Sequence, residues 1–263
     1  MNELLQQVCI AVRKIGREQV MPRYLKVAHE RKTDGSLLTE ADLATQRALI
    51  EALTRIAPYP VLGEEMTEDE QRQSWAQGHD GLWCVDPIDG TTNFVTGLPF
   101  FAISVALIKQ GRPQLGVIYD PQADELFYAE LGGGAYLDGD RLPIKQPLPA
   151  LKACIAGVDF KRLTKDLAVR LASAHPYSSQ RNLGASTLDW CYLAAGRIHL
   201  YLHGGQKLWD YAAGALILTE AGGAISTLDE DDFWQGDLWQ RSVVAALTPP
   251  LLAAWRDWIR QSG

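Results

Sequence analysis

Two aspartates three residues apart, Asp86 and Asp89, follow the hydrophobic run Gly81–Val85 in the segment Asp86-Pro87-Ile88-Asp89-Gly90-Thr91-Thr92. Pro87 fixes φ and has no N–H to give to a ladder, so a strand is expected to end there. Gly90 allows the backbone to approach another group closely. Thr91 and Thr92 add hydroxyls and N–H groups just after the turn. Carboxylates and a carbonyl such as that of Ile88 are the oxygen donors that hard divalent cations take. Taken alone, Asp-Pro and Asp-Gly are also ordinary turn chemistry.

Further acidic pieces lie along the chain. Glu64, in Gly63-Glu64-Glu65, follows the apolar pair Val61-Leu62; paired glutamates are more often solvated surface, but this position places Glu64 at a strand end. Asp210 precedes an apolar helix expected over Tyr211–Ala221. An aspartate is favoured as its N-cap and suits the helix dipole, yet can still offer its second oxygen to a metal. Asp42 stands three residues after Thr39, a helix N-cap, and can complete a capping box. Lys32 upstream is surface more readily than a phosphate contact. Gly184-Ala185-Ser186-Thr187 opens a helix, either as an anion site of free N–H groups or as a tight packing turn. Bringing Glu64, Asp86, Asp89 and Asp210 together without cations would raise their pKa values. Two or three Mg²⁺ ions would remove that cost, bind phosphate and lower the pKa of a bound water.

These residues resemble the inositol monophosphatase family of lithium-sensitive, Mg²⁺-dependent phosphatases. Its motifs occur in order as Gly63-Glu64-Glu65, Asp86 through Phe94, Trp209-Asp-Tyr-Ala-Ala-Gly214 and Thr219-Glu-Ala-Gly-Gly223. With Lys32 the resemblance spans 32–223. It implies the α-β-α-β-α sugar-phosphatase sandwich, an α+β fold, usually as a homodimer. It also implies that Glu64, Asp86 and the Ile88 carbonyl hold one metal, that Asp86, Asp89 and Asp210 hold a second, and that Glu64 helps a weaker third. Thr91, with Asp42 and Glu64, would orient the attacking water. Backbone groups of Gly90, Thr91 and Thr92 would grip the phosphate. Water would attack phosphorus in line with no protein nucleophile.

The substrate side departs from the family. Seven residues before Asp210 the family carries a Glu that bonds inositol hydroxyls, and here stands His203; nearby, an Arg-hydrophobic-Asp pattern becomes Arg197-Ile198-His199. A neutral histidine accepts one hydrogen bond and a carboxylate several. A polyol is then less well served, and a second phosphate or other anion better tolerated. Specificity is expected around Gly184, Ala185, Ser186, His203 and Asp210, with inositol 1-phosphate not the best substrate.

The elements needed to position these groups can be read from hydrophobic spacing. Helices are expected over 2–20, 40–56, 164–174, 186–195, 211–221 and 251–259. Strands are expected over 81–85, 100–108, 115–119, 125–130, 153–158, 198–202 and 243–247. A hairpin is expected about Asp138-Gly139-Asp140, with arms 135–137 and 141–144. Strands alternating with helices argue for sheets between helix layers. We read one domain over 1–263, a metal-motif half to about 148 and a substrate half from about 149.

Bulk properties limit the alternatives. The chain has 263 residues, 47% of them hydrophobic, and a formal net charge of -7. That charge disfavours non-specific binding to nucleic acid or an anionic membrane. Cys9, Cys84, Cys154 and Cys191 are scattered and read as reduced thiols of a cytoplasmic protein. Met1–Gly16 carries helical spacing rather than a signal peptide, and no apolar run is long enough to span a membrane. A haloacid-dehalogenase phosphatase would need its nucleophile at Pro87 and is rejected. A 3′(2′),5′-bisphosphate nucleotidase, a fructose-1,6-bisphosphatase or a metal-binding regulatory protein remain as alternatives.

Overall fold

A computed structural model describes residues 2–26, 29–31, 37–143 and 150–261. Lys32 and Ile144 lie outside these residues. Helix α1 (Glu3–Ile15) is capped by Asn2, whose Oδ1 accepts the Leu5 N–H at 2.8 Å. The expected continuation to residue 20 is a π-helical turn, Gly16–Val20. A side chain at Gly16 would meet the Tyr119 ring at 2.6 Å, so glycine admits that ring. A ribbon of β1 (His29–Arg31) and β2 (Leu37–Thr39) leads into α2 (Glu40–Ile56). Helix α2 stops where expected, and Pro58 and Pro60 follow it.

Seven strands form the first sheet in simple sequential order. They are β3 (Val61–Gly63), β4 (Leu82–Asp89), β5 (Ala102–Lys109), β6 (Arg112–Asp120), β7 (Glu125–Glu130), β8 (Gly134–Leu137) and β9 (Asp140–Arg141). Only the β3–β4 pair is parallel. The β8–β9 turn has positive φ at both Asp138 (49°) and Gly139 (99°), as the twist of a two-residue hairpin requires. Two short helices, α3 (Glu68–Gln77) and α4 (Thr91–Thr96), flank β4. Neither was expected, because α3 is almost wholly polar and α4 is six residues long.

The second sheet has five strands in the order β11-β10-β12-β14-β13. These are β10 (Ile155–Asp159), β11 (Ser179–Arg181), β12 (Leu200–Lys207), β13 (Ala224–Ser226) and β14 (Gln240–Ala246). Around them stand α5 (Lys165–Ala174), α6 (Ser186–Ala194), α7 (Leu208–Glu220) and α8 (Pro249–Arg260).

Strand alternation sorts side chains between layers. In β4, Trp83 and Val85 pack under α1 and α2, while Leu82 and Cys84 face α6 and α7. In β12, Tyr201 faces α6 and α7, while Leu200 and Leu202 face α5 and α8. The result is an α-β-α-β-α sandwich with α6 and α7 as the shared middle layer. A Cβ at Gly116 of β6 would lie 2.8 Å from the Ala213 carbonyl, so that glycine lets α7 press on the first sheet.

Candidate active site

Strand β4 does not end at Asp86. Pairing continues past Pro87, with Asp86 opposite Ser104 and Asp89 opposite Ala102, across a register shift. This bulge fits one extra residue into β4 and re-aims the chain. The missing N–H of Pro87 falls inside the irregularity, where no ladder bond is lost. Asp86 is buried (1% exposed) and Asp89 partly exposed, while the Ile88 side chain enters the core under α1 and α2.

Gly90 follows with φ of 87° and caps α4. A Cβ there would lie 3.0 Å from both the Ala185 Cβ and the Phe100 carbonyl. The Thr91 hydroxyl stands 3.0 Å from the Ile88 carbonyl and 3.3 Å from Asp42 Oδ1. Asp42 is fully buried, and its Oδ2 accepts from the N–H and hydroxyl of Thr39 at 2.7 and 2.6 Å. The expected capping box exists, and the same carboxylate reaches Thr91. Thr92 is exposed at the start of α4.

Glu64 stands just past β3, its N–H donated to the Val85 carbonyl at 3.2 Å. Gln71 of α3 bonds the Gly63 carbonyl at 2.9 Å and steadies that turn. Asp210 is not the N-cap of α7. The helix begins at Leu208, three residues earlier than expected, and Asp210 reaches back from its first turn to accept the Lys207 N–H at 2.9 Å.

The amides opening α6 do meet an anion, but it belongs to the chain. Asp89 Oδ2 accepts from the Thr187 N–H at 2.6 Å and the Thr187 hydroxyl at 2.7 Å. Asn93 ties the two regions together, donating to the Phe100 and Leu183 carbonyls at 2.7 Å each. Gly184, φ 82°, passes over Asn93.

Burial, and then Glu64, Asp89, Asp210 and Glu65 in turn, push the Asp86 carboxyl well above the usual range. Burial raises Asp89 to about 6 against the opposing Thr187 hydrogen bonds. Asp210 is raised by burial and by Asp89 and Glu64. Four carboxylates thus stand within electrostatic reach, two of them separated by only the width of a bulge. Among the described residues, no three His, Cys, Asp or Glu side chains converge into a ready-made cage for an ion. One observation nevertheless fits a hard cation: Asp86 Oδ1 is buried with no hydrogen-bond partner, and such an atom needs compensation.

Beside this cluster lies a cavity of about 130 Å³ whose walls include Asp89, Asp210, Gly184, Ala185, Ser186 and His203. His203 is buried, and its Nδ1 accepts the Gly205 N–H at 3.0 Å, so its one lone pair is used. Its Nε2 lies 3.6 Å from Asp159 Oδ2. Burial lowers its pKa to about 4, which leaves it neutral near pH 7. A carboxylate, Asp159, therefore stands where an anion-tolerant wall was expected. Asp159, Arg162 and Asp189 were not singled out from the sequence. Asp159 carried a signal, since it follows directly on the apolar run 153–158. Asp189 is masked within an apolar helix.

A model of the inositol monophosphatase family matches residues 1–259. The chain belongs to that family. It is a phosphoric monoester hydrolase by that membership. An inositol-1-monophosphatase of Mesorhizobium japonicum is 34% identical over 96% of this chain and 97% of its own. A Nus factor SuhB of Pasteurella multocida is 35% identical over 86% of this chain and 85% of its own. A Thermotoga maritima IMPase superposes with a TM-score of 0.83 at 27% identity, covering 98% of each chain. The family's sandwich is thus the fold described above.

Proposed function

We propose that the chain is a Mg²⁺-dependent phosphatase acting on a small phosphate monoester, an inositol phosphate or a related sugar or nucleotide phosphate. The buried, unpartnered Asp86 Oδ1 among Glu64, Asp89 and Asp210 carries this reading. Glu64, Asp86 and the Ile88 carbonyl are suited to one ion, Asp86, Asp89 and Asp210 to a second, and Glu64 to part of a third. When bound, Mg²⁺ would neutralise the cluster, acidify water and stabilise the leaving alkoxide. The chain's own residues orient the reactants. Asp42 and Ile88 fix the Thr91 hydroxyl toward the cluster, where with Glu64 it aligns the attacking water. Thr187 fixes one Asp89 oxygen and so the direction of the other. Gly90, Thr91 and Thr92 supply backbone N–H groups for the phosphate. A homodimer accompanies this reading.

A phosphate-release panel tests it, with and without Mg²⁺ and Li⁺. It contains inositol 1-phosphate, fructose 1,6-bisphosphate, adenosine 3′,5′-bisphosphate, histidinol phosphate and p-nitrophenyl phosphate. Mg²⁺-dependent, Li⁺-inhibited release is expected. Asp89→Asn is expected to fold and lose at least about 10³-fold in turnover. Near-normal turnover in that variant overturns the metal assignment. A regulatory role is the second reading, favoured by the relatives named Nus factor SuhB. Absence of Mg²⁺-dependent release across the panel would select it.

A further inference from the structure

Two carboxylates of the cavity are not used by the hydrolytic chemistry. Asp189, on the first turn of α6, is only 7% exposed and lines the cavity. Among the described residues its carboxylate makes no hydrogen bond and no ion pair. A buried carboxylate without a partner is costly unless a ligand completes it.

Asp159 lines the same cavity and lies within electrostatic reach of Asp189. It ends β10 in register with His203 of the neighbouring parallel strand β12. One of its oxygens accepts the Lys161 N–H at 2.7 Å, and the other faces His203 Nε2. Neither carboxylate is neutralised by the cations of this wall. The Arg162 guanidinium donates instead to the Gly205 carbonyl at 2.8 Å, and the Lys161 side chain is exposed. His203 is held neutral by its burial.

We propose that Asp159 and Asp189 form a cation subsite for the leaving alcohol. The preferred substrate is then a phosphate monoester of an amino alcohol, its protonated amine set between these carboxylates. The proposal rests on the phosphatase reading above. Burial, with Asp89 and Asp159 nearby, pushes the Asp189 carboxyl well above the usual range; a hydroxyl does nothing to offset that, whereas an ammonium supplies donors together with the positive charge that favours both carboxylates. Anionic substituents are opposed by the same carboxylates.

The experiment compares 2-aminoethyl, 3-aminopropyl and 4-aminobutyl phosphate with the alkyl phosphates in which CH₃ replaces NH₃⁺. Inositol 1-phosphate and p-nitrophenyl phosphate are included. With Mg²⁺, at least one amine is expected to exceed its alkyl partner in kcat/KM by about tenfold or more, the scale of a charged hydrogen bond. In Asp189→Asn, and separately in Asp159→Asn, that ratio falls toward one. The two near-isosteric variants guard against a fold lost in either. Amine-to-alkyl ratios below about two at every length overturn the proposal. So does a ratio unchanged in both variants, or inositol 1-phosphate outrunning every amine tenfold. If p-nitrophenyl phosphate and all other compounds release no phosphate, it is the phosphatase reading that fails. Calorimetric binding of each amine and alkyl pair then decides the subsite by the same ratio.

Discussion

Asp86 is buried with one oxygen unbonded, so its negative charge opposes folding whenever no cation is present. Asp86→Asn keeps the shape and removes the charge. The cation-free protein is therefore expected to melt about 2–4 °C higher, equivalent to about 1 kcal/mol. Wild type should gain stability from Mg²⁺, about 2.7 kcal/mol at a hundredfold excess over Kd, and the variant little. Calorimetric melts with and without Mg²⁺ check this, and a variant less stable than wild type in the absence of Mg²⁺ would contradict it. At this scale the motif carboxylates were legible, because each stands at the border of an apolar run, Glu64 and Asp86 after one and Asp210 before one. Asp159 and Asp189 were not. The first follows an apolar run but has no second motif residue beside it, and the second is one acid inside a largely apolar helix. That His203 has no acceptor left depends on the Gly205 N–H, a contact invisible in sequence.

Elements around the site are joined by few side chains, and Asn93 is one of them. It is buried and donates to carbonyls at Phe100 and Leu183, which belong to different halves of the chain. Asn93→Ala leaves both carbonyls short of a partner, a cost of about 1–3 kcal/mol. It also frees the turn at Gly184 and thereby the Thr187 N–H and hydroxyl that hold Asp89. We expect kcat to fall more than the loss of stability alone explains, measured by steady-state kinetics well below the melting temperature. Unchanged kcat would show that Asp89 is positioned without this link. Helix α2 and the Asp138-Gly139 hairpin were legible because caps and turn residues act locally. The continuation of β4 through Pro87 was not, because a bulge is set by pairing with β5 rather than by the residues of β4 alone. The early start of α7 was missed for a related reason: Asp210 caps from the first turn rather than from before it.

Across the whole molecule, α6 and α7 bury against both sheets in one continuous core that runs from Leu82 and Cys84 to Val243 and Ala245. Neither sheet can lose this layer without exposing its inner face. Unfolding in urea is therefore expected as a single transition, with far-UV circular dichroism and tryptophan fluorescence coincident. Trp83 and Trp255 lie in the cores on opposite outer sides, so fluorescence samples both. Two separated transitions would show independent halves. The layered class was legible from alternating strand and helix runs; the strand order of the second sheet, with its non-sequential neighbours, was not, because only long-range pairing determines it.

Asp159 and His203 are lateral neighbours on adjacent strands, more than forty positions apart in the chain. An acceptor missing at one of them can be replaced at the other without any backbone rearrangement. A carboxylate on β10 thus faces the same cavity as the β12 position from which the acceptor is missing. Substrate preference in sandwiches of this kind is thus a property of neighbourhoods on the second sheet.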